Sequence, residues 1–199
     1  MGQHASMADV FLILGFPGVG KYTVAKALRT ALEERGRVVR LVDNHYVANP
    51  VFGVIPVDGD TVLPQRVWDL VGQVRGAVLT AIEELADPTW TFVFTNFVRD
   101  DEAPAVAPYL DRLRRLADLR GGRLRLVCLT CDPVEQLRRI ALPDRGERMK
   151  STSPTWLRAL LDDHVPHVPE DAYVLDVTAL SPADAAGAIL ANAGHLNGD

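Results

Sequence analysis

Lysine is scarce in this chain. Of its 21 basic residues only Lys21, Lys26 and Lys150 are lysines, and with 26 acidic residues the net charge is −5. That balance offers no basic face of the kind a nucleic-acid partner requires. No apolar run approaches the ~20 residues of a membrane span, so no membrane partner is expected either. Cysteine is nearly absent. Cys128 and Cys131 make a lone C-x-x-C with no second pair to complete a metal site, in or just after a buried strand, and read as inert thiols. The first nine residues lack the basic and apolar regions of a signal peptide. Residues 1–6 read as a leader ahead of a natural start at Met7, and a reducing cytoplasm is the expected location. Repeats, low-complexity tracts and interdomain linkers are missing too, so 8–199 is read as one domain, as monomer or homodimer.

What is present begins with Gly15-Phe16-Pro17-Gly18-Val19-Gly20-Lys21-Tyr22-Thr23. The apolar run Val10-Phe11-Leu12-Ile13-Leu14 before it reads as a buried strand. After it, Val24, Ala27, Leu28, Ala31 and Leu32 recur at helical spacing. Strand, glycine loop and helix form the context of a phosphate-binding loop, and G-x-x-x-x-G-K is met by Gly15, Gly20 and Lys21. Glycines let the backbone N–H groups of the loop turn toward a phosphate. The helix start adds orphan donors and partial positive charge, and Lys21 adds a full one. The residue after Lys21, usually a short hydroxyl beneath Mg²⁺, is Tyr22, and the hydroxyl comes one place later in Thr23. Either Thr23 takes a phosphate contact and the metal is held mostly by water and substrate oxygens, or a carboxylate elsewhere is the ligand.

Residues 38–42 read as a second strand ending in Asp43-Asn44-His45. Ligands of open parallel sheets sit at the carboxyl ends of strands. Asp43 is therefore the candidate carboxylate, as base toward a hydroxyl or as an indirect metal ligand, and His45 is a weaker substrate contact. Residues 46–63 carry Pro50, Gly53, Pro56 and Gly59 without clean periodicity and read as a long loop; residues 43–66 together form the expected acceptor-binding region. From Pro64, Val67, Leu70, Val71, Val74, Val78, Ile82 and Leu85 mark a helix, with Arg66 near its start in reach of an anionic acceptor. The third strand, 91–94, ends in Thr95-Asn96 and lacks a terminal Asp for magnesium; Asn96 and Arg99 are substrate candidates there. A helix to about Arg120, a fourth strand at 124–129 and a fifth at 172–175 follow, and Thr178 lies where it borders a purine ring. Asp132-Pro133, Ser153-Pro154 and Ser181-Pro182 each place a capping side chain before a proline, the preferred way to start a helix. Between the first two, Arg138, Arg139, Arg145, Arg148 and Lys150 crowd a stretch broken by Pro143 and Gly146. With the glycine loop upstream this reads as a lid over about 138–152, whose guanidinium groups suit the charge of a phosphoryl group in transfer.

Together these elements resemble the P-loop small-molecule kinases, the group of nucleoside monophosphate kinases, shikimate and gluconate kinases and chloramphenicol phosphotransferase. Gly20-Lys21-Tyr22-Thr23 is most similar to the loop of adenylate kinases, which also place threonine second after the lysine. The resemblance implies a three-layer α/β fold, with a five-stranded parallel sheet ordered 2-3-1-4-5 and a short arginine-bearing lid. It also implies ATP as donor and Mg²⁺ as cofactor. Arg138 or Arg139 would lie near the adenine or the phosphates, and Arg145 and Arg148 would contact the transferring group. Asp43 matches the second-strand carboxylate that serves as base or metal contact. The expected function is transfer of the γ-phosphoryl group of ATP to a hydroxyl of a small metabolite or antibiotic. The alternatives are a nucleoside monophosphate kinase and a nucleotide-binding regulator without turnover. An acceptor helix rich in arginine is missing from the sequence, which favours a neutral acceptor.

Overall fold

The structure, a computed structural model, describes residues 8–58, 61–142 and 150–195. Five strands form one parallel sheet in the order β2-β3-β1-β4-β5. They are β1 (Val10–Leu14), β2 (Val39–Val42), β3 (Thr91–Thr95), β4 (Leu124–Thr130) and β5 (Tyr173–Asp176). Among the described residues seven α-helices connect and cover them: α1 (Lys21–Glu33), α2 (Asn44–Phe52), α3 (Gln65–Leu85), α4 (Ala103–Leu119), α5 (Pro133–Ile140), α6 (Pro154–Asp163) and α7 (Pro182–His195).

The central strand β1 is buried throughout, as expected for a strand covered on both faces. Its alternation splits the core in two. Val10, Leu12 and Leu14 pack with α2, α3 and α4; Phe11 and Ile13 pack with α1, α6 and α7. The three layers and the strand order agree with the sequence reading. At the amino ends of the strands, Arg125 Nε lies 3.0 Å from Asp9 Oδ2, both groups largely buried. Among the described residues no helix is long and apolar enough to cross a membrane.

One segment corrects the sequence reading. Residues 44–52 form α2 rather than part of a long loop, with Pro50 inside the helix. Val47, Ala48, Val51 and Phe52 bury one side of it, and Asp43 caps its start, its carboxylate accepting from the His45 N–H at 3.3 Å. The three Asp/Ser-Pro starts hold: Asp132 caps Val134 and Glu135, Ser153 caps Trp156, and Ser181 caps Asp184. Cys128 and Cys131 are free thiols, and burial pushes both above their ordinary value.

Candidate active site

At Gly15 and Gly18 the glycine loop closes on its surroundings with no room for a side chain. Gly15 has φ +138°, and a Cβ there would stand 2.6 Å from the Leu129 carbonyl oxygen. Gly18 has φ +91°, and its Cβ would meet both Cγ and the carbonyl oxygen of Gln136 at 2.9 Å. Gln136 is buried and donates from Nε2 to the Pro17 carbonyl at 2.7 Å, so α5 holds the loop from behind. Lys21 curls back over the loop, its Nζ donating to the carbonyls of Gly15 at 2.6 Å and Phe16 at 3.0 Å. Gly20, the residue before α1, contributes no capping side chain, which leaves the first-turn N–H groups to an anion.

Pro17, Gly18, Gly20, Lys21, Tyr22 and Thr23 form one wall of a cavity of about 330 Å³. Val19 is buried beneath the loop. Asp43, Asn44, His45 and Thr95, from the carboxyl ends of β2 and β3, form the facing part. The adjacency follows from the strand order, which sets β3 between β2 and β1. Asp43 Oδ1 accepts from the Thr95 hydroxyl at 2.6 Å, and the same hydroxyl accepts from Asn44 N–H at 3.0 Å. Lys150 Nζ lies 2.9 Å from Asp43 Oδ2 and 4.7 Å from the centre of the Tyr22 ring. Burial pushes the Asp43 carboxyl up, but Lys150 and the Thr95 hydrogen bond outweigh it and hold the group below the usual carboxylate range. His45 is lowered as well, which for an imidazole favours the neutral ring. Burial first, then Lys150, lowers it to about 4, against the pull of Asp43 and of Asn49 on its ring nitrogen.

Other residues named from sequence divide between the cavity and its surroundings. Arg139 lines the cavity and binds Glu135 at 2.7 Å, the Val19 carbonyl at 3.2 Å and the carbonyls of Val177 and Thr178 at 3.1 and 3.0 Å. Thr178 thus meets the site through Arg139, while its hydroxyl accepts from Asp132 N–H. Arg138 pairs with Glu135 on the surface, its side chain 65% exposed. Of this adjacent pair, Arg139 is the one the fold turns to the cavity.

Three substrate candidates do not line the cavity. Asn96 is buried and accepts from the Phe97 N–H at 2.9 Å, a local turn contact. Arg99 pairs with Asp101 and Glu102 and approaches His164 at 3.3 Å. Arg66 is exposed near the start of α3. Arg145 and Arg148 lie outside the described residues, as does the 143–149 part of the expected lid.

Residues that the sequence reading passed over complete the cavity. Trp68, Phe97 and Trp156 line it. Trp68 stands off the Val67–Leu70–Val71–Val74 stripe, and a large aromatic outside the buried stripe of a helix is a signal available in the sequence. Gln136 and the Asp43–Lys150 pairing had no local signal, since each joins distant segments.

No family model matches the chain, and no curated protein matches it. Solved structures do. A gluconokinase from Sinorhizobium meliloti superposes with a TM-score of 0.54 at 17% identity, over 96% of this chain and 97% of its own. A shikimate kinase from Acinetobacter baumannii, solved with shikimate, gives 0.56 at 18% identity, over 98% and 97%. An APS kinase from Mycobacterium tuberculosis, solved with AMPPNP and APS, gives 0.57 at 13% identity, over 93% and 96%. The chain has the fold of the P-loop small-molecule kinases. At these identities the likeness is one of architecture, and it extends over the full length of both partners rather than over the glycine loop alone.

Within that kinase fold the oxygen donors suit a magnesium ion. Among the described residues no group of three or more His, Cys, Asp and Glu side chains forms an all-protein cage. Mg²⁺ binds through one or two carboxylates with water and substrate phosphates making up the rest. Asp43, with the Thr95 and Thr23 hydroxyls on the same cavity, is a donor set of that sparse kind.

Proposed function

We propose that this protein is an ATP-dependent phosphotransferase that moves the γ-phosphoryl group to a hydroxyl of a small metabolite or antibiotic. The observation that carries the reading is the placement of Lys21 and Asp43 on one cavity. A lysine curled over an uncapped helix start supplies the phosphate cradle, and a carboxylate at the end of the neighbouring strands faces it.

In this reading the triphosphate takes the loop N–H groups, and the Lys21 ammonium turns from the Gly15 and Phe16 carbonyls to the β- and γ-phosphates. Arg139 closes the donor side, already fixed to the loop after β5. Asp43 orients the acceptor hydroxyl and takes its proton as the new O–P bond forms and the β–γ bridge bond breaks, with ADP leaving. Its lowered proton affinity suits an orienting carboxylate, and Thr95 fixes the direction of its free lone pairs. Asp43, Thr95 and Thr23 would hold Mg²⁺ directly or through water; bound there it neutralises developing phosphate charge. Phe97 and Trp156 on the cavity wall shield the reacting atoms from water, which competes as acceptor.

The test is turnover with ATP and Mg²⁺ over a panel of hydroxyl-bearing acceptors, read as ADP release and as mass gain of a phosphoryl group. Lys21→Ala should lower transfer by about 10²-fold or more, because it removes a charge contact made in the transition state. Unchanged turnover in that variant overturns this assignment of the loop.

A further inference from the structure

Trp68 leaves 47% of its surface exposed while lining the cavity. Its orientation is nevertheless fixed from behind. Phe52, itself buried, meets the Trp68 ring edge-on at 5.9 Å and 85°. Phe52 in turn meets His45 at 6.2 Å and 69°, and the backbone N–H of His45 is bonded to the Asp43 carboxylate. An unbroken line of rings therefore runs along α2 and onto α3, from the candidate base to a half-open indole. A second aromatic surface comes from Phe97, held edge-on to Phe16 at 5.2 Å and 81°, and from Trp156. A T-shaped contact of this kind fixes ring orientation and covers at most one face of one of its two rings.

The cations nearby are engaged otherwise. Among the described residues the cavity is lined by Lys21, Arg139 and Lys150. They meet the loop carbonyls, Glu135 and Asp43 respectively. Arg66, in reach of an anionic acceptor by sequence, and Arg99, a substrate candidate by sequence, are not part of the lining, and Arg75 donates to Asn44 Oδ1 at 3.1 Å from the α3 side. A carboxylate or phosphate on the acceptor would enter beside the triphosphate and be repelled by it, and Lys150, already balanced by Asp43, offers it little compensation. A flat uncharged body would instead bury against large aromatic surface.

We propose that the acceptor is an uncharged alcohol carrying a flat ring, which lies on Trp68 with its hydroxyl directed to Asp43. The identification rests on the phosphotransferase reading above and narrows it to one substrate class. Trp68 is then the specificity-determining residue, and it does so by contact with the acceptor, away from the phosphates.

The experiment measures acceptor-stimulated ADP release and, separately, binding by tryptophan fluorescence and calorimetry. Thymidine, phenyl β-glucoside and 1-phenyl-1,2-ethanediol serve as uncharged ring-bearing probes. Gluconate, shikimate and thymidylate serve as anionic ones. The expected result is stimulation or saturable binding by an uncharged probe and none by the anionic set. Trp68→Ala should raise the acceptor KM about tenfold, with kcat and the KM for ATP little changed, and Trp68→Phe should restore most of the loss. Preference for an anionic probe, or an acceptor KM indifferent to Trp68→Ala, overturns the inference. So does binding of ATP with no response to any uncharged probe, an outcome that leaves the kinase reading standing. Binding of an uncharged probe without binding of any triphosphate does the reverse: the kinase reading falls and the ring site stands.

Discussion

The Lys150 ammonium sits 2.9 Å from the Asp43 carboxylate, and the two side chains are only 12% and 13% exposed. Asp43 ends β2 at one side of the cavity, while Lys150 arrives from the segment before α6. Their contact joins the base candidate to the far part of the chain, beside the Tyr22 ring that replaces the usual short hydroxyl.

Breaking this pair from the cationic side should cost stability. Leaving a largely buried carboxylate without its partner costs about 3–5 kcal/mol. Lys150→Met should therefore lower the urea midpoint, and Lys150→Arg should recover part of it. A midpoint unchanged in Lys150→Met would mean that the pair does not form in solution.

Asp43→Asn keeps the shape and the Thr95 contact but removes the charge and the proton-accepting capacity. Turnover should fall about 10²-fold or more, while ATP binding measured by calorimetry changes little. Equal losses in turnover and ATP affinity would place Asp43 on the donor rather than the acceptor.

Stability should fall with pH in two stages. His45 has a folded value of about 4 against an unfolded 6.5. Between these values the unfolded chain binds a proton that the folded chain refuses, so stability drops as pH falls, by on the order of 3 kcal/mol. Asp43 is lowered on folding, so its contribution is present above its unfolded value near 3.9 and is lost as pH falls through the folded one. Urea denaturation at intervals from pH 7.5 to 3 checks both stages. His45→Gln should remove the upper stage and leave the lower.

Gly18→Ala should be far more damaging than Gly36→Ala. Both glycines have positive φ, but a Cβ at Gly36 meets nothing within 4 Å, whereas at Gly18 it meets Gln136 at 2.9 Å. The Gly36 change should carry only the backbone cost of about 1 kcal/mol. Gly18→Ala must also push the loop off α5 and should weaken ATP binding at least tenfold. Similar urea midpoints and similar ATP affinities in the two variants would contradict the close packing of loop and helix.

The fold was legible because its signals are local: apolar runs of strand length, glycines at fixed spacing, and proline after a capping side chain at Asp132, Ser153 and Ser181. Helix α2 was not, because Pro50 and the following glycines suggested a loop. The apolar set Val47, Ala48, Val51 and Phe52 still finds a buried face, and tertiary packing overrides the weak local preference. At the site, a position at a strand end sufficed to pick out Asp43. It did not suffice for Asn96 or Arg99, whose side chains answer to Phe97, Asp101, Glu102 and His164. Which way a polar side chain turns depends on neighbours from elsewhere in the chain. Lys150 illustrates the same point from the other side, as a cation whose partner no spacing rule reveals.

The Asp9–Arg125 clasp fastens the sheet at the pole opposite the cavity. A change at this pole can therefore alter stability at a distance from the cavity. An engineer could toughen or soften the scaffold by editing the clasp and leave the walls of the cavity untouched.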